Sequence, residues 1–291
     1  MSFLNFLING ISLGSIYAII ALGYTIVYGI SKMLNFAHGD VIMVGAYICF
    51  FALTRTALPP VVALALAMIS CMMLGMIIEK LAYKPLRQAT SLAVLITAIG
   101  VSYLLQNGAL LLWTANPKVF PSIVGDGKVQ LGSIVVSHVT LVTIAACLII
   151  MVGMTLFTGR TKMGKAMRAC SEDKAAAQLM GINVDATISM TFIIGSGLAA
   201  VAGVLLCSTY PTLVPTTGSM PGIKAFTAAV FGGIGSIPGA FLGGLLLGII
   251  EIFAKAYIST QVSDAIVFAV LIVVLLVKPS GLLGKMTREK V

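Results

Sequence analysis

The sequence predicts an all-α fold, a polytopic membrane helical bundle of about eight transmembrane segments, some of them glycine-broken or re-entrant. Three observations carry the prediction. Of 291 residues, 59% are hydrophobic and only 9% charged, against roughly 25% charged in a soluble domain. The apolar residues gather into runs, most of them long enough to cross about 30 Å of hydrocarbon. Twelve of the eighteen Lys and Arg fall in three stretches, 80–87, 160–174 and 278–290. Such clusters mark loops retained on the cytoplasmic side. No soluble domain presents them, so the net charge of +9 speaks for membrane sidedness and a lipid environment, and against nucleic-acid binding.

The runs place spans at 12–30, 41–54, 61–79, 91–112, 139–157, 187–208, 223–256 and 264–278. The first positive charge is Lys32, so the charged start of a secretory signal is missing. The first span is expected to stay in the mature protein. Residues 41–54 are short for a crossing. Residues 223–256 are too long for one: 34 residues at about 1.5 Å each would span about 50 Å. In their middle stands "FGGIGSIPGA", residues 231–240, where glycines loosen a helix and Pro238 removes a donor. A half-helix, a break near 232–239 and a second helix to about 256 are therefore expected.

Charge parity tests that break. If the three basic stretches share one face, an even number of crossings must separate each pair. Residues 87 and 160 are separated by two crossings. Residues 174 and 278 are separated by an even number only if the glycine break reverses the chain. The whole chain, 1–291, reads as one transmembrane domain with a cytoplasmic segment at about 159–185; the charge pattern does not place residue 1.

Polar residues interrupt the apolar pattern at Asn35-Phe36-Ala37-His38-Gly39-Asp40. Ionisable groups at membrane depth usually mark a pathway, shielded by protein or lining water. "NFAHGD" and "FGGIGSIPG" are then two breaks, one in each half, a pattern that points to a translocation site. On that reading the pathway residues are Asn35, Phe36, His38, Gly39 and Asp40, with Gly232, Gly233, Gly235, Ser236, Pro238 and Gly239. Two plainer readings stay open: a water-exposed loop, and Asp40 as N-cap of the 41–54 helix.

Other motifs fail. Residues 159–166, "GRTKMGKA", end in Ala166 where a phosphate-binding loop needs a hydroxyl, and they follow an apolar span instead of a strand. "GGIGSIPG" has Pro238 in the last place of a dinucleotide fingerprint, with no βαβ unit around it. Cys49, Cys71, Cys147, Cys170 and Cys207 form no C-x-x-C pair and read as small buried hydrophobes. His38 and His138 are a hundred residues apart, and no metal-ligand spacing or catalytic trio is evident. The chain reads as no enzyme, with no cofactor or metal of its own.

The stretch 159–185 carries five basic and three acidic residues. Met163, Met167 and Cys170 lie at helical spacing, as do Ala176, Leu179 and Met180, ahead of helix-stopping Gly181. One or two amphipathic surface helices follow. They are either a solvated loop beside anionic lipid heads or a docking element for a cytoplasmic partner.

"NGISLGSIYAIIALGYTIVYGISKMLNFAHGD" (9–40) resembles the N-terminal signature of LivH-type permeases, the membrane subunits of branched-chain amino acid ABC importers. "KAFTAAVFGGIGSIPGAFLGGLLLGIIE" (224–251) is similar to that family's C-terminal signature, and "AAAQLMGIN" (175–183) resembles its ATPase-coupling segment. The resemblance runs from about residue 5 to 285.

It implies a type II ABC importer-like permease in the bacterial inner (plasma) membrane, translocating branched-chain amino acids, with 159–185 and the C-terminus cytoplasmic. Its partners would be a second, LivM-like permease, two cytoplasmic ATPases holding ATP and Mg, and a periplasmic or lipid-anchored amino-acid-binding protein. The coupling residues would be Glu172, Asp173, Lys174, Ala176, Ala177, Leu179, Met180 and Gly181. Some family members carry glutamate where this chain has Asp40, so a carboxylate, rather than its length, is what the position would need. Alternating access would move the glycine-broken helices. Gly243, Gly244 and Gly248 would continue the small-residue face, as packing or as a hinge. Glu251 and Lys255, spaced i, i+4, would pair with each other, and Lys224 is either a surface anchor or a path residue. The same architecture carrying urea, short amides or polar amino acids remains an alternative, as does a stand-alone channel or ion-coupled carrier.

Overall fold

The computed structural model describes residues 3–56, 58–125, 127–131 and 134–284. The basic residues at 285–290, with that part of the expected cytoplasmic terminus, lie outside the described residues. The helices are α1 (Phe3–Ser31), α2 (His38–Arg55), α3 (Pro60–Ile78), α4 (Ser91–Trp113), α5 (His138–Arg160), α6 (Lys162–Glu172), α7 (Lys174–Leu179), α8 (Val184–Thr209), α9 (Ser219–Gly232), α10 (Ile237–Tyr257) and α11 (Ser263–Val277). Among the described residues, α1, α4, α5, α8, α10 and the run Pro60–Leu86 are long and apolar enough to cross a membrane.

The expected spans coincide with helices within a few residues, with one exception: α1 begins at Phe3, nine residues early. Asn5 and Asn9 lower the hydropathy there without breaking the helix, and Phe3 and Phe6 pack edge-on against Phe253 and Tyr257 of α10. Asp40 does not cap its helix. α2 starts at His38, its N-cap is Ala37 with no side-chain bond, and Asp40 lies in the first turn. Pro238 is no breaker either. It sits in the first turn of α10, where a missing N–H has no helical partner to lose.

No element is expected from sequence between 113 and 137. The structure has short strands there: β1 (Lys118–Val119), β2 (Lys128–Leu131) and β3 (Ile134–Ser137). β2 and β3 form a hairpin, while β1 pairs with β4 (Thr212–Leu213), beyond the end of α8.

α1 and α8 are buried along most of their length, whereas α3, α4 and α5 expose most of theirs. Their outward Leu and Ile side chains suit a lipid-facing or partner-facing wall. α1 and α10 run antiparallel with backbones in close approach. Gly10, Gly14 and Ala18 face Ile249, Gly248 and Gly244 in turn, and a side chain at either Gly244 or Gly248 would overlap the backbone of α1.

The glycine break reverses the chain, as charge parity requires. Gly232 lies against Gly239 and Ala228 against Gly243, so α9 and α10 form an antiparallel hairpin. The turn is confined to Gly233–Ser236, with φ of 104° at Gly233 and 94° at Gly235, values that favour glycine. Ser236 accepts a hydrogen bond from the Gly239 N–H at 3.2 Å and caps α10. Leu282 and Leu283 N–H donate to the carbonyls of Phe231 and Gly232 at 2.9 Å. The start of the third basic stretch thus sits on this turn. Lys84 and Arg87 pair with Asp185 at the start of α8, and Lys174 reaches the end of α1. The described parts of all three basic stretches therefore share one end of the bundle.

Candidate functional site

After α1 ends, Lys32 takes a φ of 60°, and residues 32–37 run back alongside α1. His38 reaches the level of Gly23, where a Cβ would meet its ring at 2.6 Å, and its ring lies tilted against Tyr24 with centroids 4.6 Å apart. Eight helical steps lead from Gly23 to Ser31, so α2 starts about 12 Å inside the bundle. From the opposite end, residues 214–218 lead to α9. The Ser219 hydroxyl lies 3.2 Å from Gln106 Nε2, about 10 Å short of the end of α4. The first turns of the two half-helices meet: a Cβ on Gly39 would stand 2.7 Å from the Gly218 carbonyl.

Around this junction the Tyr83 hydroxyl donates to Asn35 Oδ1 at 2.9 Å. Phe226 of α9 packs against Tyr24 and Phe36, with centroids 5.7 and 5.9 Å apart. Gln106 Nε2 donates to Asp40 Oδ1 at 2.8 Å and lies 3.3 Å from the Ser102 hydroxyl. His38 Nε2 is buried with no partner among the described residues. Asn35, His38, Gly39 and Asp40 are buried and Phe36 is half-buried, so this stretch is not a water-exposed loop.

Ser102, Gln106 and Ser219 escaped sequence reasoning. The available signal was Ser102 and Gln106 at i, i+4 inside an otherwise apolar run, which puts two hydrogen-bonding groups on one face of a helix.

The second set of expected pathway residues lies elsewhere. Gly233 packs against Gly281 and Gly284, and Gly235 against Gly29. Gly232, Gly233 and Gly239 are buried, Ser236 is half-buried, and Gly235 and Pro238 are exposed. This is the α6–α7 end of the bundle. The partner of "NFAHGD" is instead the start of α9, because interior contact between two helix starts needs a backbone approach that Gly39, Gly218 and Gly222 permit.

The 159–185 segment folds as two helices. Asp173 Oδ1 accepts from the N–H groups of Ala175 and Ala176 at 2.8 and 3.0 Å and caps α7, while Gly181 ends it with a φ of 80°. The expected coupling residues divide by role. Lys174 Nζ donates to the Ser31 carbonyl at 2.8 Å, and Ala177 is buried. Glu172, Asp173, Ala176 and Gly181 face outward, with Leu179 89% and Met180 82% exposed. Burial, then the nearby charges of Arg87 and Lys32, hold the Lys174 ammonium below the usual lysine range.

Two ionic groups, each partly exposed, tie the helices together. Lys224 Nζ lies 2.8 Å from Glu251 Oε1 and 2.7 Å from Asp264 Oδ1, and Lys255 Nζ lies 2.6 Å from the same Glu251 oxygen. The Tyr17 hydroxyl donates to Glu251 Oε2 at 2.8 Å. The expected Glu251–Lys255 pair is thus part of a network that joins α1, α9, α10 and α11. Arg87 pairs with Glu79 and with Asp185, and Ser189 donates to the other Glu79 oxygen at 2.7 Å.

Residues 6–275 match the family described as "Branched-chain amino acid transport system / permease component". The chain is 45% identical over 301 residues to the high-affinity branched-chain amino acid transport system permease protein BraD of Pseudomonas aeruginosa, covering 99% of this chain and 98% of that one. It is 44% identical over 302 residues to the corresponding permease protein LivH of Salmonella typhimurium, with the same coverage. Among solved structures, PsaBC from Streptococcus pneumoniae in complex with Fab aligns over 95% of this chain and 92% of that chain. The TM-score is 0.50 and the identity 14%, a likeness of fold alone.

Proposed function

The chain belongs to the branched-chain amino acid transport system permease family, and we propose that it is the permease subunit of an ATP-driven importer of branched-chain amino acids. The observation that carries this reading is the near-full-length similarity to two permeases of high-affinity systems for those solutes. A second, LivM-like permease completes the conduit. Two cytoplasmic ATPases bind ATP and Mg, and a periplasmic or lipid-anchored protein delivers the amino acid. The chain lies in the bacterial inner membrane with its α6–α7 end in the cytoplasm.

The geometry supports the following mechanism. An ATPase takes up the outward face of α7, Ala176, Leu179 and Met180, in a cleft of its own. Lys174 carries the motion to the end of α1 through the Ser31 carbonyl. The segment 32–37 follows α1, so a shift there moves the start of α2 relative to α9. Separating Gly39 from Gly218 opens the interior between Asn35, His38, Asp40 and Gln106; bringing them together closes it. The Gly233–Ser236 turn lets α9 tilt against α10 as this happens.

The test is purification of the native assembly, identification of its other chains, and reconstitution in liposomes with the delivery protein. ATP-dependent uptake of labelled leucine is expected, and urea is not taken up. Solute movement at full rate by this chain alone, without an ATPase, would overturn the reading.

A further inference from the structure

The buried carboxylates among the described residues are Asp40, Glu79 and Glu251. Glu79 is paired with Arg87, and Glu251 with Lys224 and Lys255. Asp40 has no salt-bridge partner among the described residues; its bond is to the neutral amide of Gln106 at 2.8 Å. An isolated carboxylate in a low-dielectric interior is costly unless a cation compensates it, and ionisable groups at membrane depth are rarely left without a function. The fold provides a fixed lysine or arginine for the other two and none for this one, at the place where the two half-helices meet.

We propose that Asp40, with Gln106 and Ser219, binds the ammonium group of the amino acid in transit. A primary ammonium has three donors and no acceptor. Gln106 Nε2 joins Asp40 Oδ1 and the Ser219 hydroxyl in one small node, and the carboxylate, the amide carbonyl and the hydroxyl can each accept from an ammonium. The apolar side chain of the same solute would lie against Phe36, Phe226 and Tyr24. The Gly39–Gly218 contact closes the node in this state, so the ammonium enters as the half-helices part and leaves before they rejoin. This rests on the amino-acid importer reading above and adds to it a selectivity element within the membrane, favouring solutes with a protonated amine over neutral amides.

The test uses the whole assembly with its delivery protein. Wild-type uptake of labelled leucine establishes the importer reading by itself; if leucine is not taken up at all, that reading fails. With wild-type uptake in hand, Asp40→Asn, which keeps the size and can still accept from Gln106, is expected to lower the maximal uptake rate about 30-fold or more, the penalty of losing one partner of a buried charge pair. Half-saturation by the loaded delivery protein and its stimulation of ATP hydrolysis are expected to stay within twofold (on the order of experimental scatter). Asp40→Glu is expected to recover most of the rate. As a direct readout, 3-methylbutylammonium should raise the melting temperature of the wild-type and Asp40→Glu assemblies and not that of Asp40→Asn, while 4-methylpentanoate raises none of them. Wild-type uptake by Asp40→Asn, or equal stabilisation of both variants by the amine, would overturn the proposal and leave the importer reading standing.

Discussion

Lys174 of α7 holds the carbonyl of Ser31, the last residue of α1, at 2.8 Å. This bond ties the surface segment to the helix whose continuation enters the bundle, and the last turn of α1 offers that carbonyl because no helical N–H follows it. Lys174→Met keeps the length of the side chain and removes the donor. ATP hydrolysis by the assembled importer is expected to continue, while leucine uptake per ATP falls by about tenfold, equivalent to one charged hydrogen bond of about 1.5 kcal/mol. Parallel loss of both activities, measured in one preparation, would show that the bond only stabilises the fold.

Leu179 and Met180 are the most exposed apolar side chains of the surface segment. Leu179→Glu touches nothing inside the bundle, so the melting temperature of the isolated permease should change little, within about 0.5 kcal/mol. Recovery of the ATPase subunits with the permease is expected to drop sharply. Undiminished recovery and uptake would mean that α7 is not the contact.

Removing one member of the buried network should cost more than removing an opposed pair. Lys224→Met leaves Glu251 with Lys255 and Asp264 without its partner; Glu251→Gln leaves Lys224 with Asp264 alone. Each single change is expected to destabilise by about 3–5 kcal/mol, and the double change by less than the sum. Chemical unfolding of the detergent-solubilised protein measures this, and strict additivity would count against a shared network.

The α1–α10 seam gives a steric prediction. A side chain at Gly244 overlaps Ala18, whereas nothing lies within 4 Å of a Cβ at Gly100. Gly244→Leu should lower the unfolding temperature strongly, at a cost of about 3 kcal/mol or more. Gly100→Ala on the exposed wall of α4 should be neutral or stabilising by up to about 1 kcal/mol. Equal effects of the two changes would contradict the close approach of these helices.

The spans and the glycine break were legible because both depend on local composition. A crossing needs a run of apolar residues of set length, and glycines with a proline mark a turn wherever they stand. Even the reversal at Gly233–Ser236 followed from charge parity alone. Pro238 as a breaker and the alternative of Asp40 as a cap both fell for a related reason: proline and aspartate both suit a first helical turn, and which residue opens the helix differs by only a few positions.

The pairing of interruptions was not legible. "NFAHGD" and the glycine break both stand out in sequence, yet Gly39 meets Gly218 and Gly222; Pro215, Gly218, Pro221 and Gly222 punctuate that stretch without saying which break it faces. Gln106 joins Asp40 from another helix, as Tyr83 joins Asn35 and Asp264 joins Lys224. These are contacts between residues far apart along the chain, and no periodicity encodes them.

The sequence by itself determined the solvent this chain lives in, the order of its helices and most of their bounds, where they break and which basic stretches share a face. Each of these follows from the cost of placing polar groups in hydrocarbon, a cost each segment meets alone. Only the tertiary structure decided which breaks meet, which buried charges have partners and which side of α7 is left bare. Those outcomes depend on how closely two backbones approach and on what lies across the gap, which is a property of pairs of segments rather than of either one.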